Sequence, residues 1–280
     1  MINVNTFKEA KGNKKLVQVT AYDYNTARLA EEAGIDFILV GDSLGMVMLG
    51  YPNTLPVTME DMIHHGSAVV RGAKDTFVVV DMPFMSYQVS DEEALMNAGR
   101  IIKETGCQAV KLEGGAKYAS RIKAITDAGI PVVAHVGLTP QSVNAFGGYK
   151  VQGKTKSAAA DLIRDCIAVQ EAGAFAVTLE CVPKKLADYV TKLLHISTIG
   201  IGASNNCDAQ VLVYQDMLGY SADKTAKFVK KYANLHDVIV DAFKQYKNEV
   251  SNGAFPSEEH TYKISDEDLE NAIKEVEEQE

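Results

Sequence analysis

Short apolar, β-branched runs recur along the chain at Leu16 to Ala21, Phe37 to Val40, Phe77 to Asp81, Ala109 to Leu112, Val132 to Val136, Ala176 to Leu179 and Thr198 to Ile201. A weaker eighth run lies at Val211 to Tyr214. The gaps between them are too long for hairpins and suit a loop and a helix instead. The intervening stretches Thr26 to Glu32, Glu92 to Lys103, Tyr118 to Ala128 and Ala158 to Glu171 carry apolar residues at helical spacing. Four phrases, AEEAGIDFILVG, IKETGCQAVKLEGG, ITDAGIPVVAHVG and VQEAGAFAVTLE, each run helix, Gly, strand. The Gly suits the left-handed residue that ends a helix before the chain turns into a strand. Eight such units predict an α/β fold, a (β/α)8 or TIM barrel. A doubly wound sheet would open on a Gly-rich phosphate turn, where this chain has AYDYN.

The whole chain, 1–280, reads as one barrel domain with a helical tail from about residue 250. A helix is expected from about Lys224 to Val250, followed by SNGAFPSEEHTYK and an acidic helix that opens at Ser265 with a capping box to Asp268. Two strand-to-helix connections, Gly45 to Thr58 and Gly137 to Thr155, exceed the usual few residues. Both follow strand ends and so fall on the catalytic face.

With 46% hydrophobic residues, the chain can fill one large core. Its net charge of −9 offers no basic stripe for nucleic acid and points to small-molecule substrates. The four cysteines, Cys107, Cys166, Cys181 and Cys207, form no C-x-x-C pair and read as reduced thiols. Neither a signal-like N-terminus nor a run of about 18 apolar residues is visible, so no membrane partner and a cytoplasmic location are expected.

Barrel enzymes carry their reactive groups where the strands run out. Those positions hold Asp42 and Ser43 after the second strand, Asp81 on the third, Lys111 and Glu113 on the fourth, His135 on the fifth, Glu180 after the sixth, and the Gly200 and Gly202 pair on the seventh. Carboxylates crowded out of water repel unless a cation joins them. An all-oxygen set favours Mg2+, with Asp42 and Asp81 as direct ligands and Glu113 bound directly or through a water. Lys111 and Glu113 are two apart on a strand and face inward together, whereas Leu112 faces the helices. That pairing suits an anionic substrate on a metal. Glu180, two strands away, has the position of a general base that removes a proton beside a polarised ketone. His135 could donate to substrate or satisfy the core. GIGAS, Gly200 to Ser204, could cradle an anion or simply pack the rim. His64 and His65 carry no clear role.

The runs TAYDYNTARLAEEAG, LVGDSLGMVMLGYPNTLPVTMEDM, VVDMPFMSYQVS, AVKLEGG, PVVAHVGLTPQSVNAFGGYKVQGK, LECVP, IGIGAS and FPSEEHTY resemble, in order, the ketopantoate hydroxymethyltransferase family. The resemblance implies a phosphoenolpyruvate/pyruvate-like barrel, one Mg2+ per subunit held by Asp42 and Asp81, and Glu113 as a third metal-associated carboxylate. It implies that Ser43 and Lys111 hold the oxo acid, with Asp42, Asp81 and His135 also at the substrate, and that Glu180 accepts the proton. The implied reaction joins 3-methyl-2-oxobutanoate to the one-carbon unit of 5,10-methylenetetrahydrofolate, in pantothenate biosynthesis. The implied assembly is a homo-oligomer, a decamer. TPQSVNAFGGYKVQGK would cover the site, hinged at Gly147 and Gly148. The family's run after GIGA carries glycines where this chain has Ser204 and Ala209, so the folate-side loop is expected to differ there. The isocitrate lyase and phosphoenolpyruvate mutase group shares the expected fold, but its Lys-Lys-Cys-Gly-His run is absent here. A barrel retained only for assembly would have a broken constellation, and every proposed acid and base is present.

Overall fold

The computed structural model describes residues 2–221 and 225–279. Eight parallel strands close into a barrel in sequence order: β1 Leu16–Thr20, β2 Phe37–Val40, β3 Phe77–Asp81, β4 Ala109–Glu113, β5 Val132–Gly137, β6 Ala176–Glu180, β7 Ser197–Ile201 and β8 Ala209–Leu212. The eighth strand begins two residues earlier than the apolar run suggests. Its register is set by β1, with Leu16 opposite Ala209 and Val19 opposite Leu212, and Tyr214 already starts a short helix. Gly34, Gly106, Gly129 and Gly173, the glycines of the four repeated phrases, all have positive φ, as the helix-to-strand turn requires.

Alternation along each strand divides two cores. Ile38, Val40, Val78, Val80, Val110, Leu112, Ala134, Val136, Val177 and Leu179 face the surrounding helices. Phe37, Leu39, Phe77, Val79, Ala109, Val133, Ala176, Ile199, Ala209 and Val211 fill the barrel. Because both faces are buried, the strands read as near-continuous apolar runs. A helix missed in the sequence, Val4–Ala10, closes the barrel floor. Its Phe7 is fully buried, with ring centroids 4.9 Å from Phe37, 5.5 Å from Phe77 and 4.9 Å from Phe175. The floor is therefore dry and aromatic, and polar side chains collect at the opposite end.

The long connections hold short helices, Leu44–Val47 in the first and Pro140–Ser142 with Val143–Phe146 in the second. Beyond β8 the expectation needs correction. Lys224 lies outside the described residues, residues 225–234 are irregular, and the helix runs only over Leu235–Ser251. Asn234 begins it without a side-chain cap, and none of its residues is buried. At the last helix, Asp266–Glu277, Ser265 accepts the Asp268 N–H at 3.0 Å. Asp268 meets the Ser265 hydroxyl rather than its backbone N–H, so only half of the expected capping box forms. Among the described residues, no helix is long and apolar enough to cross a membrane.

Candidate active site

A cavity of about 260 Å³ opens at the C-terminal end of the strands, lined among others by Asp42, Ser43, Asp81, Lys111, Glu113, His135 and Glu180. All seven polar residues singled out in the sequence therefore meet in one place. Strand pairing explains the convergence: Asp81 lies opposite Lys111, Glu113 opposite His135, and Gly137 opposite Glu180.

Lys111 donates to Asp81 Oδ1 at 2.5 Å, and both side chains are buried. Asp81 Oδ2 accepts the Asp42 backbone N–H at 3.1 Å. Asp42 is held well above the usual carboxylate range by burial first, then by Asp81 and Glu113. Asp81 is also raised, since burial outweighs the pull of Lys111. Burial disfavours the Lys111 ammonium, but Asp81, Glu113 and Asp42 prevail and its pKa rises.

His135 stands between two carboxylates, with Nδ1 3.5 Å from Glu113 and Nε2 3.3 Å from Glu180. Both are ion-pair distances, although neither contact is straight enough for a good hydrogen bond. Burial alone would depress the imidazole. Glu113 and Glu180 override it and raise its pKa to about 9. Glu180 thus faces an imidazolium rather than a lysine. It also keeps more exposure than its companions, 15% against 4% for Glu113 and Asp81.

The chain path fixes Glu180. Gly137 has φ +95°, and a Cβ there would lie 2.4 Å from the Glu180 carbonyl oxygen. Leu138 N–H donates to that same oxygen at 2.9 Å. Cys181, immediately after it, is a non-glycine residue at φ +51° whose N–H donates to Ile201 O at 2.9 Å. Such local strain persists only where the surroundings enforce it.

The whole chain decides the lineage. The ketopantoate hydroxymethyltransferase family profile matches residues 1–258. The 3-methyl-2-oxobutanoate hydroxymethyltransferase of Enterococcus faecalis is 63% identical over 95% of this chain and 97% of its own length. The chain belongs to the ketopantoate hydroxymethyltransferase family. It is accordingly an enzyme, a hydroxymethyltransferase of that family. The Clostridium novyi relative of the same name is 61% identical over 94% of this chain and 96% of its own. Among solved structures, 2,3-dimethylmalate lyase, a PEP mutase/isocitrate lyase superfamily member, aligns with a TM-score of 0.59 at 15% identity, covering 98% of this chain and 99% of its own. Phosphonopyruvate hydrolase aligns at 0.57 and 14% identity, covering 100% of this chain and 98% of its own. These two share the barrel fold.

Residues to which the sequence reading gave no role pack around this cluster. Tyr22 hydroxyl lies 2.8 Å from Ser43 Oγ, and His65 Nδ1 lies 2.6 Å from Tyr22 O, which gives His65 a structural place. Tyr87 hydroxyl accepts the Glu113 N–H at 3.2 Å and donates to Gln141 Oε1 at 2.6 Å. Gln141 is buried and touches both Asp42 and Glu113. Pro140 marks a turn at this point, but a Gln in a polar loop carries no signal of burial. GIGAS forms a packed rim: Ser204 hydroxyl donates to Asp188, and its carbonyl accepts from Gln210 at 2.7 Å. Ala209 does not shape that loop, contrary to expectation. It lies on β8 with its methyl in the barrel core.

The donor set fits a hard divalent cation. Asp42, Asp81, Glu113 and Glu180 crowd four carboxyl groups around one cavity with Lys111 and His135, and the raised pKa of Asp42 and Asp81 marks a crowding that a bound cation would relieve. Among the described residues, no three His, Cys, Asp or Glu side chains form a ready cage. Mg2+ does not need one, because it keeps waters and substrate oxygens around one or two carboxylates.

Proposed function

We propose that this enzyme transfers a hydroxymethyl group from 5,10-methylenetetrahydrofolate to 3-methyl-2-oxobutanoate, giving 2-dehydropantoate and tetrahydrofolate, with a water supplying the hydroxyl oxygen. The observation that carries this reading is the separation of roles around one cavity. Asp42, Asp81 and Glu113 are buried and tied by hydrogen bonds, whereas Glu180, on the other side of His135 from Glu113, is more open and, among the described residues, accepts from no backbone donor.

Mg2+, held by Asp42 and Asp81 with Glu113 bound directly or through a water, would polarise the keto oxygen of the substrate. Lys111 and Ser43 hold the substrate carboxylate or keto oxygen, Lys111 as a charge already fixed in place by Asp81. Glu180 takes the C3 proton; a water adds to the one-carbon unit as its two C–N bonds break, giving formaldehyde and tetrahydrofolate, and the electron pair left on C3 bonds the aldehyde carbon while its oxygen takes a proton to become the hydroxyl. His135 keeps its imidazolium against Glu180 and orients that carboxylate toward the cavity. Tyr149, on the Gly137 to Thr155 connection, lines the cavity and lies 3.8 Å from Met46 Sδ, which supports reading this connection as a cover over the site. Small molecules are the partners, in a cytoplasmic pantothenate pathway. Self-assembly, as a decamer by family resemblance, is favoured by the apolar side chains Val238, Phe243, Tyr246 and Val250 exposed on Leu235–Ser251.

The test is proton NMR of 3-methyl-2-oxobutanoate in D2O with enzyme, with added Mg2+ or EDTA, for wild type and Glu180→Gln. Loss of the C3 proton signal that needs Mg2+ and slows at least about a hundredfold in the variant is expected. Exchange at wild-type rate in Glu180→Gln would remove Glu180 as the base.

A further inference from the structure

Gln141 gathers three strand ends into one unit. Its Nε2 donates to Asp42 Oδ2 at 2.9 Å and to Met82 O at 2.9 Å. Its backbone N–H donates to Glu113 Oε2 at 2.9 Å. Its Oε1 accepts from Tyr87 hydroxyl at 2.6 Å and from Gln88 Nε2 at 3.3 Å. Every donor and acceptor of the amide is used, and the Met82 carbonyl facing Nε2 can only accept, so the amide has one possible orientation.

The residue reaches this position because of the loop that carries it. Leu138 is anchored to Glu180 O, and Pro140 starts a 3-10 turn in which Ser142 N–H bonds Thr139 O at 2.8 Å. The turn folds Gln141 back over the barrel mouth, where it is 5% exposed. The same connection continues to Tyr149 at the cavity wall. A contact to Asp42 and a contact to Glu113 therefore travel together with the path of the cover.

We infer that Gln141 is a positioning residue for the carboxylate site: it fixes the rotamer of Asp42, engages its Oδ2 so that Oδ1 is the oxygen left for a cation, and holds Glu113 in register with it. The inference rests on the reading of Asp42 and Asp81 as divalent-cation ligands. Groups that orient the ligands of a metal typically change its affinity by about 10–100-fold when removed.

The experiment is titration of the purified full-length enzyme with Mn2+, free ion being read by electron paramagnetic resonance, for wild type, Gln141→Met and Tyr87→Phe, with thermal unfolding of each in EDTA. Gln141→Met keeps the side-chain volume and loses both donors. Tyr87→Phe removes a bond to the far side of the same amide, together with the hydroxyl's contacts to the Glu113 main chain, and leaves the Asp42 contact intact. Expected are a Kd for Mn2+ raised at least about tenfold in Gln141→Met and one within about threefold of wild type in Tyr87→Phe, even where both melt earlier. Wild-type affinity in Gln141→Met overturns the inference, as does equal weakening in the two variants in step with their melting temperatures. Wild type that binds no Mn2+ removes the metal reading itself and the inference with it. Should Gln141→Met not fold, Gln141→Asn, which keeps the amide one methylene short, carries the same test.

Discussion

Replacing Lys111 by Met separates charge from packing at the centre of the site. Met follows the Lys stem and fills nearly the same space, so the main loss is the ammonium 2.5 Å from Asp81 Oδ1. Breaking a buried pair by removing one partner costs about 3–5 kcal/mol, because the remaining charge is left uncompensated. Here Asp81 would retain only the Asp42 N–H and would still face Glu113 and Asp42. At roughly 2–4 °C per kcal/mol, the melting temperature in EDTA should fall by at least about 6 °C. Proton uptake limits that cost. A carboxyl whose folded pKa is raised gives up stability as pH rises above its unfolded value, so the deficit should grow as pH rises from about 4. Mg2+ restores positive charge to the same place and should raise the melting temperature of Lys111→Met more than that of wild type. Differential scanning calorimetry across two pH values, with and without Mg2+, provides all four comparisons. Equal melting temperatures in EDTA, or a smaller Mg2+ gain in the variant, would refute the account of Lys111 as the internal counter-charge of this site.

Phe7→Ala should destabilise by about 3–5 kcal/mol, seen as an earlier far-UV circular dichroism melt. Turnover at 25 °C should be unchanged, since Phe7 sits at the floor; a melt within about 2 °C of wild type would mean that the first helix does not seal the barrel. Asp208 is buried, and burial is outweighed by Lys11 at 2.8 Å and the N–H groups of Thr198 and Gly12, so its carboxyl is lowered. A lowered folded pKa gives stability that is present above the unfolded value and lost as pH falls through the folded one. Wild type should therefore lose melting temperature below about pH 4 more steeply than Asp208→Asn, and parallel curves would count against this linkage. Burial first, then Glu180, pushes the Cys181 thiol to about 11. Its alkylation by iodoacetamide at pH 8 should run about two orders of magnitude slower than that of a free thiol and accelerate toward pH 11, followed by mass spectrometry.

The barrel was legible because parallel strands buried on both faces leave unmistakable apolar runs, and because one helix-Gly-strand phrase recurs. The site was legible where a strand brings a charged residue into that pattern. Lys111 and Glu113 flank Leu112 in alternation, and all three take the faces that alternation requires. Elements that depend on distant partners were hidden. Helix Val4–Ala10 buries only Phe7 and Ala10, too few for a visible period, although its Asn3 and Thr6 capping box was there to be read. The start of β8 is dictated by hydrogen bonds to β1, sixteen residues into the chain at Leu16, and nothing local specifies it. Gln141 is polar in a polar loop, and its meaning comes only from the Asp42, Glu113 and Tyr87 groups that meet it.

The close approach at Gly137 has a practical consequence for anyone who would retarget this enzyme. Any side chain at 137 would strike the carbonyl of Glu180, so that position is closed to variation, and the main chain that carries Glu180 is held by that approach. The apolar wall made by Met46, Tyr149 and Val213 stands outside the barrel core and carries no such restraint. A library aimed at bulkier oxo acids should vary that wall and leave the rim glycine untouched, trading pocket shape while Glu180 keeps its place.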